Sequence, residues 1–203
     1  MAAHLDLTDL EAVDAAGVRW LPLRRALGVT AFGINAYQAD AGELLIEPHD
    51  ELPTTDEELY VLITGRATFT VDGEEVDARP GTVVFCPDPA THRTAVATED
   101  STLALAVGNP AGAAGPIPAW QHRFAAEPHE AAGDWVAAYA TAAAALEDHP
   151  DDASTHYDLA RFAAQGGQRE RALDHWRRAV AARPELRERA AGDPLLDPVR
   201  DAL

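Results

Sequence analysis

Two carboxylates, an imidazole and a phenol have the spacing from which a site could be built. His49 and Glu51 are separated by one residue, and so are Glu58 and Tyr60. Side chains alternate between the faces of an extended strand, so each pair shares a face, and Leu62 continues the face of Tyr60. Glu58 stands at the head of the otherwise apolar run Leu59–Ile63. If a carboxylate there points inward, it has to be paired or coordinated, because an isolated buried charge is too costly. Tyr60 is either a proton donor at such a site or a core tyrosine with its hydroxyl bonded to backbone.

The residue types that are missing exclude other chemistries. The chain of 203 residues has 16 Lys plus Arg, all of them Arg, so it has no lysine for a Schiff base or a phosphate-binding P-loop. Cys86 is the single cysteine, which removes an intramolecular disulfide, a CxxC redox pair and a Cys-rich zinc site. Cys86 reads as a small buried hydrophobe, with a reactive thiol as the alternative. Serine occurs only at Ser101 and Ser154, neither in a G-x-S-x-G turn. The net charge of −18 would repel nucleic acid and anionic membrane surfaces. No apolar run approaches the roughly 20 residues of a spanning helix, and the acidic start is unlike a signal peptide, so the expected compartment is the cytoplasm.

Patterning divides the chain. From Ala31 to about Val107, short apolar segments alternate with Gly, Pro and Asp turns, as in an all-β sandwich or barrel. Asp72-Gly73 between two alternating segments predicts a tight hairpin. The first forty residues, with Trp20 and Pro22, either close the barrel or supply an edge strand. After Gly108 the composition turns to Gly, Pro and Ala, which reads as a linker. Beyond Gly133 the pattern is helical and alanine-rich. The expected domains are therefore 1–110 (β), 111–132 (linker) and 133–203 (helical).

The helical part is similar to a tetratricopeptide repeat. Pro150 and Pro184 each close an Ala-rich helix and lie 34 residues apart, the period of that repeat. Within 153–186, Leu159, Ala160, Ala163, Ala172, Trp176 and Ala179 occupy its packing positions, and Gly166-Gly167 makes the turn. The preceding segment fits only through Ala138, Ala142 and Ala145, with Pro128 interrupting its first helix. So short an array is expected to serve as a brace or dimerisation element, or as a surface for a protein partner.

The β segment resembles the cupin superfamily, small jelly-roll barrels that usually hold one metal ion. Gly42, His49, Glu58, LYVLIT and Gly65 follow its first block, with Glu51 where a second histidine is usual. Gly81, Pro87 and His92 follow its second block, while Pro89 and Val96 depart from it. The resemblance implies an antiparallel jelly-roll barrel followed by the helical module. It also implies one divalent metal (Fe, Mn, Ni or Zn) on His49, Glu51, Glu58 and His92, with Asp56 or Glu57 as alternatives to Glu51. Arg66 and Arg93 are expected to form outward salt bridges, with bidentate contact to a substrate carboxylate as the alternative, and His122, His129, His149, His156 and His175 to be surface or packing residues. The implied function is a metal-dependent dioxygenase, isomerase or lyase acting on a small polar metabolite, with Tyr60 or a free carboxylate moving a proton. The alternatives are a metal-free binding protein whose helical tail meets a protein partner, and a structural oligomer. A homodimer is expected, with neither nucleic acid nor membrane as partner.

Overall fold

The computed structural model describes residues 4–52 and 54–203. They fall into two compact units, Met1–Ala114 and Gly115–Leu203. No helix among the described residues is long and apolar enough to cross a membrane.

Among the described residues the first unit holds, after a 3-10 turn at Leu7–Asp9, ten strands and one short α-helix. In order they are β1 (Val13–Ala15), β2 (Val18–Leu21), α1 (Leu23–Leu27), β3 (Gly33–Ala39), β4 (Leu44–His49), β5 (Asp56–Thr64), β6 (Ala67–Val71), β7 (Glu74–Ala78), β8 (Val83–Cys86), β9 (Arg93–Ala97) and β10 (Thr102–Pro110). They form a six-stranded sheet, β1-β2-β3-β10-β5-β8, and a four-stranded sheet, β4-β9-β6-β7, antiparallel throughout. The N-terminal segment thus extends the edge of the larger sheet through β2 against β3. The jelly-roll expectation is met at the level of two antiparallel sheets.

Both sheets contribute to one core. Tyr60, Leu62, Val84, Cys86, Ala104 and Ala106 come from the larger sheet, and Leu45, Ile46, Phe69, Ala95 and Ala97 from the smaller. Strand alternation is what selects them: Tyr60 and Leu62 face in while Ile63 is exposed, and Val84 and Cys86 face in while Val83 and Phe85 are exposed. Asp72 and Gly73 both have positive φ, at 48° and 85°, and join β6 to β7 in the two-residue hairpin that the sequence predicts. At Gly65, also at positive φ, a Cβ would lie 2.2 Å from Thr102 Oγ1 and 2.6 Å from Thr102 Cα. Thr102 cannot retreat, because its hydroxyl donates to the backbone oxygens of Arg66 and Glu99. Gly65 therefore lets β5 turn into β6 directly against β10.

The second unit contains α2 (Ala119–Ala131), α3 (Trp135–Ala143), α4 (Ala153–Gln165), α5 (Arg169–Ala182) and α6 (Leu186–Ala191), with 3-10 turns at Ala144–Glu147 and Pro194–Ala202. Helix α2 occupies the stretch that composition alone reads as linker. Pro128 lies within it rather than breaking it. The helix is retained because it has partners: Ala126 packs with Ala138, Ala142, Leu159 and Phe162, and Arg123 meets Glu130 further along the same helix and Asp158 of α4. Asp134 and Asp152 cap α3 and α4 through their side chains. Ala160, Ala163 and Ala164 of α4 and Ala172 and Ala179 of α5 are buried in one cluster with Trp176, which lets the two helices approach closely.

Two of the histidines are buried and joined. His156 Nδ1 and His175 Nδ1 lie 2.9 Å apart, His156 Nε2 lies 2.9 Å from Pro150 O, and Tyr139 Oη lies 2.7 Å from His175 Nε2. Neutral rings satisfy the chain in one arrangement. His156 donates from Nε2 to the carbonyl, His175 donates from Nδ1 to His156, and Tyr139 donates to His175. Burial, then neighbouring His156, pushes the pKa of His175 down to about 4. Asp174 opposes this, while Arg178 and Arg171 reinforce it.

Two predictions follow from this packing. A folded-state pKa below the unfolded value means that the neutral ring stabilises the fold above about pH 6.5 and that this contribution is lost as pH falls towards 4. Urea unfolding of the full chain should therefore show roughly 2–3 kcal/mol less stability in the helical transition at pH 4.5 than at pH 7.5. His175→Gln should flatten the part of that slope lying above pH 5, where carboxylates contribute least. Separately, Gly65→Ala should cost at least about 2 kcal/mol in the thermal unfolding of the β unit, since it combines positive φ with a backbone collision.

Candidate metal centre

The two sheets and the loop after β4 bring five chemistry-bearing side chains together. β4 ends on His49, the following loop carries Glu51, β5 supplies Glu58 and Tyr60, and β9 begins with Arg93. His49 and Arg93 are cross-strand neighbours in the smaller sheet, while Glu58 and Tyr60 point inward from the larger one. His49, Glu51 and Glu58 each offer a ligand atom, all within 4.8 Å of one another. His49 Nε2 lies 3.6 Å from Glu51 Oε1 and 3.5 Å from Glu58 Oε2.

Each of these groups is held from behind. His49 Nδ1 lies 2.7 Å from Glu47 O, the geometry in which Nδ1–H donates and Nε2 turns its lone pair to the cluster. Glu51 is anchored by its backbone N–H to Pro89 O, and its carboxylate accepts from Thr54 Oγ1. The Tyr60 hydroxyl donates a short hydrogen bond to Glu58 Oε2 and lies 3.3 Å from His49 Nε2. Arg93, with 0% of its surface exposed, directs NH2 to Glu58 Oε2 at 3.1 Å and NH1 to Thr91 O at 2.7 Å. Its NH2 is also 3.9 Å from Glu51 Oε1.

The electrostatics reflect that pairing. Burial alone would raise the Glu58 carboxyl, but the adjacent His49 ring, the hydrogen bond from Tyr60 and the Arg93 guanidinium hold it below the usual carboxylate range. The Glu58 carboxylate raises the His49 pKa against the opposing effect of burial. Burial, then the charge of Glu58, pushes the Tyr60 phenol far above its ordinary value. Tyr60 therefore keeps its proton, which it directs to Glu58 Oε2.

His92 does not join this cluster. The inward positions of β9 are Arg93, Ala95 and Ala97, and placing those two alanines in the core turns His92 outward. Two hydrogen bonds with Asp72 fix its backbone, His92 N to Asp72 Oδ1 and Asp72 N to His92 O, each 2.9 Å long. The position expected for a second imidazole is therefore taken by a guanidinium, and Arg93 is the reverse of the outward salt bridge anticipated for it. The sequence did carry a signal: small residues at 95 and 97 share a face with residue 93. Arg66 does bridge outward, to Asp77. Glu57 faces away from the cluster and lines a separate hollow with Leu59 and Phe85. The carboxyl of Asp56 is raised by burial and by Glu51 and Glu58, but it lies outside the three-donor group. Cys86 is buried and its thiol is pushed up by burial, consistent with a packing role.

Sequence reasoning also missed Tyr37, Asn35 and Glu47. Tyr37 faces the core from β3, and its phenol is raised by burial and by Glu47, Glu58 and Glu51. Glu47 Oε2 and Asn35 Oδ1 are buried without a hydrogen-bond partner among the described residues. Acceptors of this kind are normally satisfied by water or a ligand donor.

Residues 37–108 match the family model described as Cupin domain. That segment runs from β3 through β10 and contains every residue of the cluster. A search of curated proteins finds no match. Among solved structures, a cupin protein from Bacteroides fragilis is 19% identical, with 54% of this chain and 85% of that one covered and a TM-score of 0.42. KdgF from Halomonas sp. is 18% identical, with 54% and 94% covered and a TM-score of 0.42. A sugar phosphate isomerase from a cupin superfamily, from Silicibacter pomeroyi, is 22% identical, with 53% and 75% covered and a TM-score of 0.43.

The donor set fits a divalent first-row ion. One imidazole nitrogen and two carboxylate oxygens lie within 4.8 Å of one another, and the imidazole is oriented by a hydrogen bond from its other nitrogen, as metal-binding histidines usually are. Arg93 is the unusual member, and it sets up a contrast in stability. Glu58→Leu leaves a fully buried guanidinium without its carboxylate and should cost about 3–5 kcal/mol, whereas His92→Ala at the exposed position should stay within about 0.5 kcal/mol, both measured by chemical denaturation.

Proposed function

We propose that the β unit is a cupin-type site that binds one divalent cation through His49, Glu51 and Glu58 and acts on a small polar metabolite. The observation that carries this reading is the convergence of those three ligand atoms inside the segment that matches the cupin domain. Bound there, a divalent cation would polarise a substrate oxygen as a Lewis acid. The rest of the chemistry belongs to the chain. Tyr60 holds a proton that it can deliver to a developing oxyanion, and Glu58 accepts the hydrogen bond that orients the phenol. Glu47 and Asn35 present buried acceptors suited to hydroxyl groups of a ligand. Dioxygenase, isomerase and lyase reactions all use such parts.

A second reading is favoured by Arg93. Its guanidinium already neutralises Glu58, as a metal-free binding cupin would require. In that reading the helical unit serves as the contact surface for a protein partner or a second copy.

Elemental analysis of untagged protein separates the two. The first reading expects about one equivalent of a divalent metal, lost in His49→Ala and Glu58→Gln and kept in His92→Ala. No metal in the wild type, even after anaerobic reconstitution with Fe(II), Mn(II), Ni(II) and Zn(II), overturns it in favour of the second.

A further inference from the structure

The central strands of the larger sheet are apolar on both faces. Tyr60 and Leu62 of β5 and Ala104 and Ala106 of β10 face the core, and the residues that alternate with them are apolar too. One outward row runs from β3 to β8 as Ile34, Val107, Leu59 and Phe85. The next runs as Ala36, Leu105, Val61 and Val83, and Ile63 extends the patch along β5. The smaller sheet is built the other way: its outward rows pair Thr68 with Asp77 and Thr70 with Glu75, as on a face that meets water. A continuous apolar run such as Leu59–Ile63 is instead the pattern of a strand covered on both sides.

Coverage of that outer face is uneven. At the β2–β3 end, Leu21 and Ala36 are 2% and 0% exposed, where α1 with its buried Leu23 packs against β3. Towards β8, the strand at the sheet's edge, exposure climbs to 38% at Ile63, 53% at Phe85 and 58% at Val83. Strand β8 carries no charged residue, and charge is a usual means by which an exposed edge discourages association.

Charge and extent decide the occupant. A net charge of −18 works against a second copy wherever charged surface is brought together. The two outward rows are free of charge, with Glu57 beyond one and Gln38 beyond the other. A two-fold contact lays this neutral patch on itself, so no like charges are opposed at its centre. Four strands about 4.8 Å apart and five residues rising about 3.4 Å each give the patch a footprint of about 300 Å². That is enough for the apolar centre of a standard interface, which buries about 800 Å² on each partner once its polar rim is included.

We propose that the outer face of the larger sheet is the contact between two copies of this chain, packed sheet on sheet about a two-fold axis with Val83 and Phe85 buried in it. The contact is independent of the cation reading, and it differs from one made through the helical unit. Glu58 and Tyr60 project from the opposite side of β5, so the second copy braces the strand that carries them.

The test is sedimentation equilibrium of the full chain, in about 0.5 M NaCl to screen the net charge. At about 50 μM the wild type should have twice the 21.7 kDa of one chain. Val83→Asp combined with Phe85→Glu should sediment as a monomer at that concentration, with its circular dichroism unchanged. If the double variant does not fold, Phe85→Ser takes its place and should weaken the dimer at least about tenfold. Trp120→Ser combined with Phe124→Ser, at exposed positions of α2, should leave the dimer intact. A monomeric wild type at the same concentration overturns the proposal and leaves the face to another part of the chain or to a different protein. A dimer that survives the β8 substitutions overturns it as well. So does a dimer that the α2 substitutions dissolve, which assigns the contact to the helical unit.

Discussion

The pairing of a fully buried guanidinium with the Glu58 carboxylate, between two sheets, is the interaction on which the β unit's chemistry depends. Taking both charges out of water costs several kcal/mol each before their attraction is counted, so the arrangement persists only with its remaining hydrogen bonds satisfied. They largely are: Arg93 reaches Glu58, Tyr60 and Thr91, and Glu58 collects Tyr60, Arg93 and the neighbouring His49 ring. Because β4 and β9 belong to one sheet and β5 to the other, the same contacts that neutralise the charges also tie the two sheets together at this point. The carboxylate that neutralises Arg93 is thus also one of the three donors of the candidate cation site.

That constraint explains the state of each surrounding group. Tyr60 is kept protonated by burial and by the Glu58 charge, which makes it a donor. His49 has one nitrogen committed to a backbone carbonyl and the other turned inward, a posture that suits either a metal or a proton shared with Glu58. The orphan oxygens of Glu47 and Asn35 extend the polar interior beyond the cluster. A core that is otherwise alanine, leucine and aromatic thus has a polar interior patch lined by these side chains.

The helical unit follows a different logic. Its interior is built from alanine, so helices approach closely and a few large side chains, Trp176, Tyr157 and Phe162, fill the remaining space. Polar groups drawn into so thin a core must find one another, as in the chain from Tyr139 through His175 and His156 to Pro150 O. Arg161 does the same, meeting Glu130, Asp158 and Asp193. The buried alanines were legible from helical periodicity. The histidine pair was not, because His156 and His175 lie on different helices and only the packing of α4 on α5 brings their rings together.

Period-two and period-3.6 patterns, together with Gly and Asp turns, are local properties, so the sequence by itself determined the β-then-α order, the Asp72-Gly73 hairpin and the inward faces carrying Glu58, Tyr60 and Leu62. Helix α2 escaped that reading because its Gly/Pro-rich approach and internal Pro128 weaken the local signal, while Ala126 and Arg123 gain their partners only from segments distant in the chain. The site divides in the same way. His49, Glu51 and Glu58 were visible as spaced candidate ligands, but which residue of β9 faced them depended on register. Tertiary structure decided that, since burying Ala95 and Ala97 forces Arg93 inward and His92 out. A one-residue difference in facing exchanges an imidazole for a permanent positive charge, and only the packing of one sheet on the other fixes which of the two the carboxylates meet.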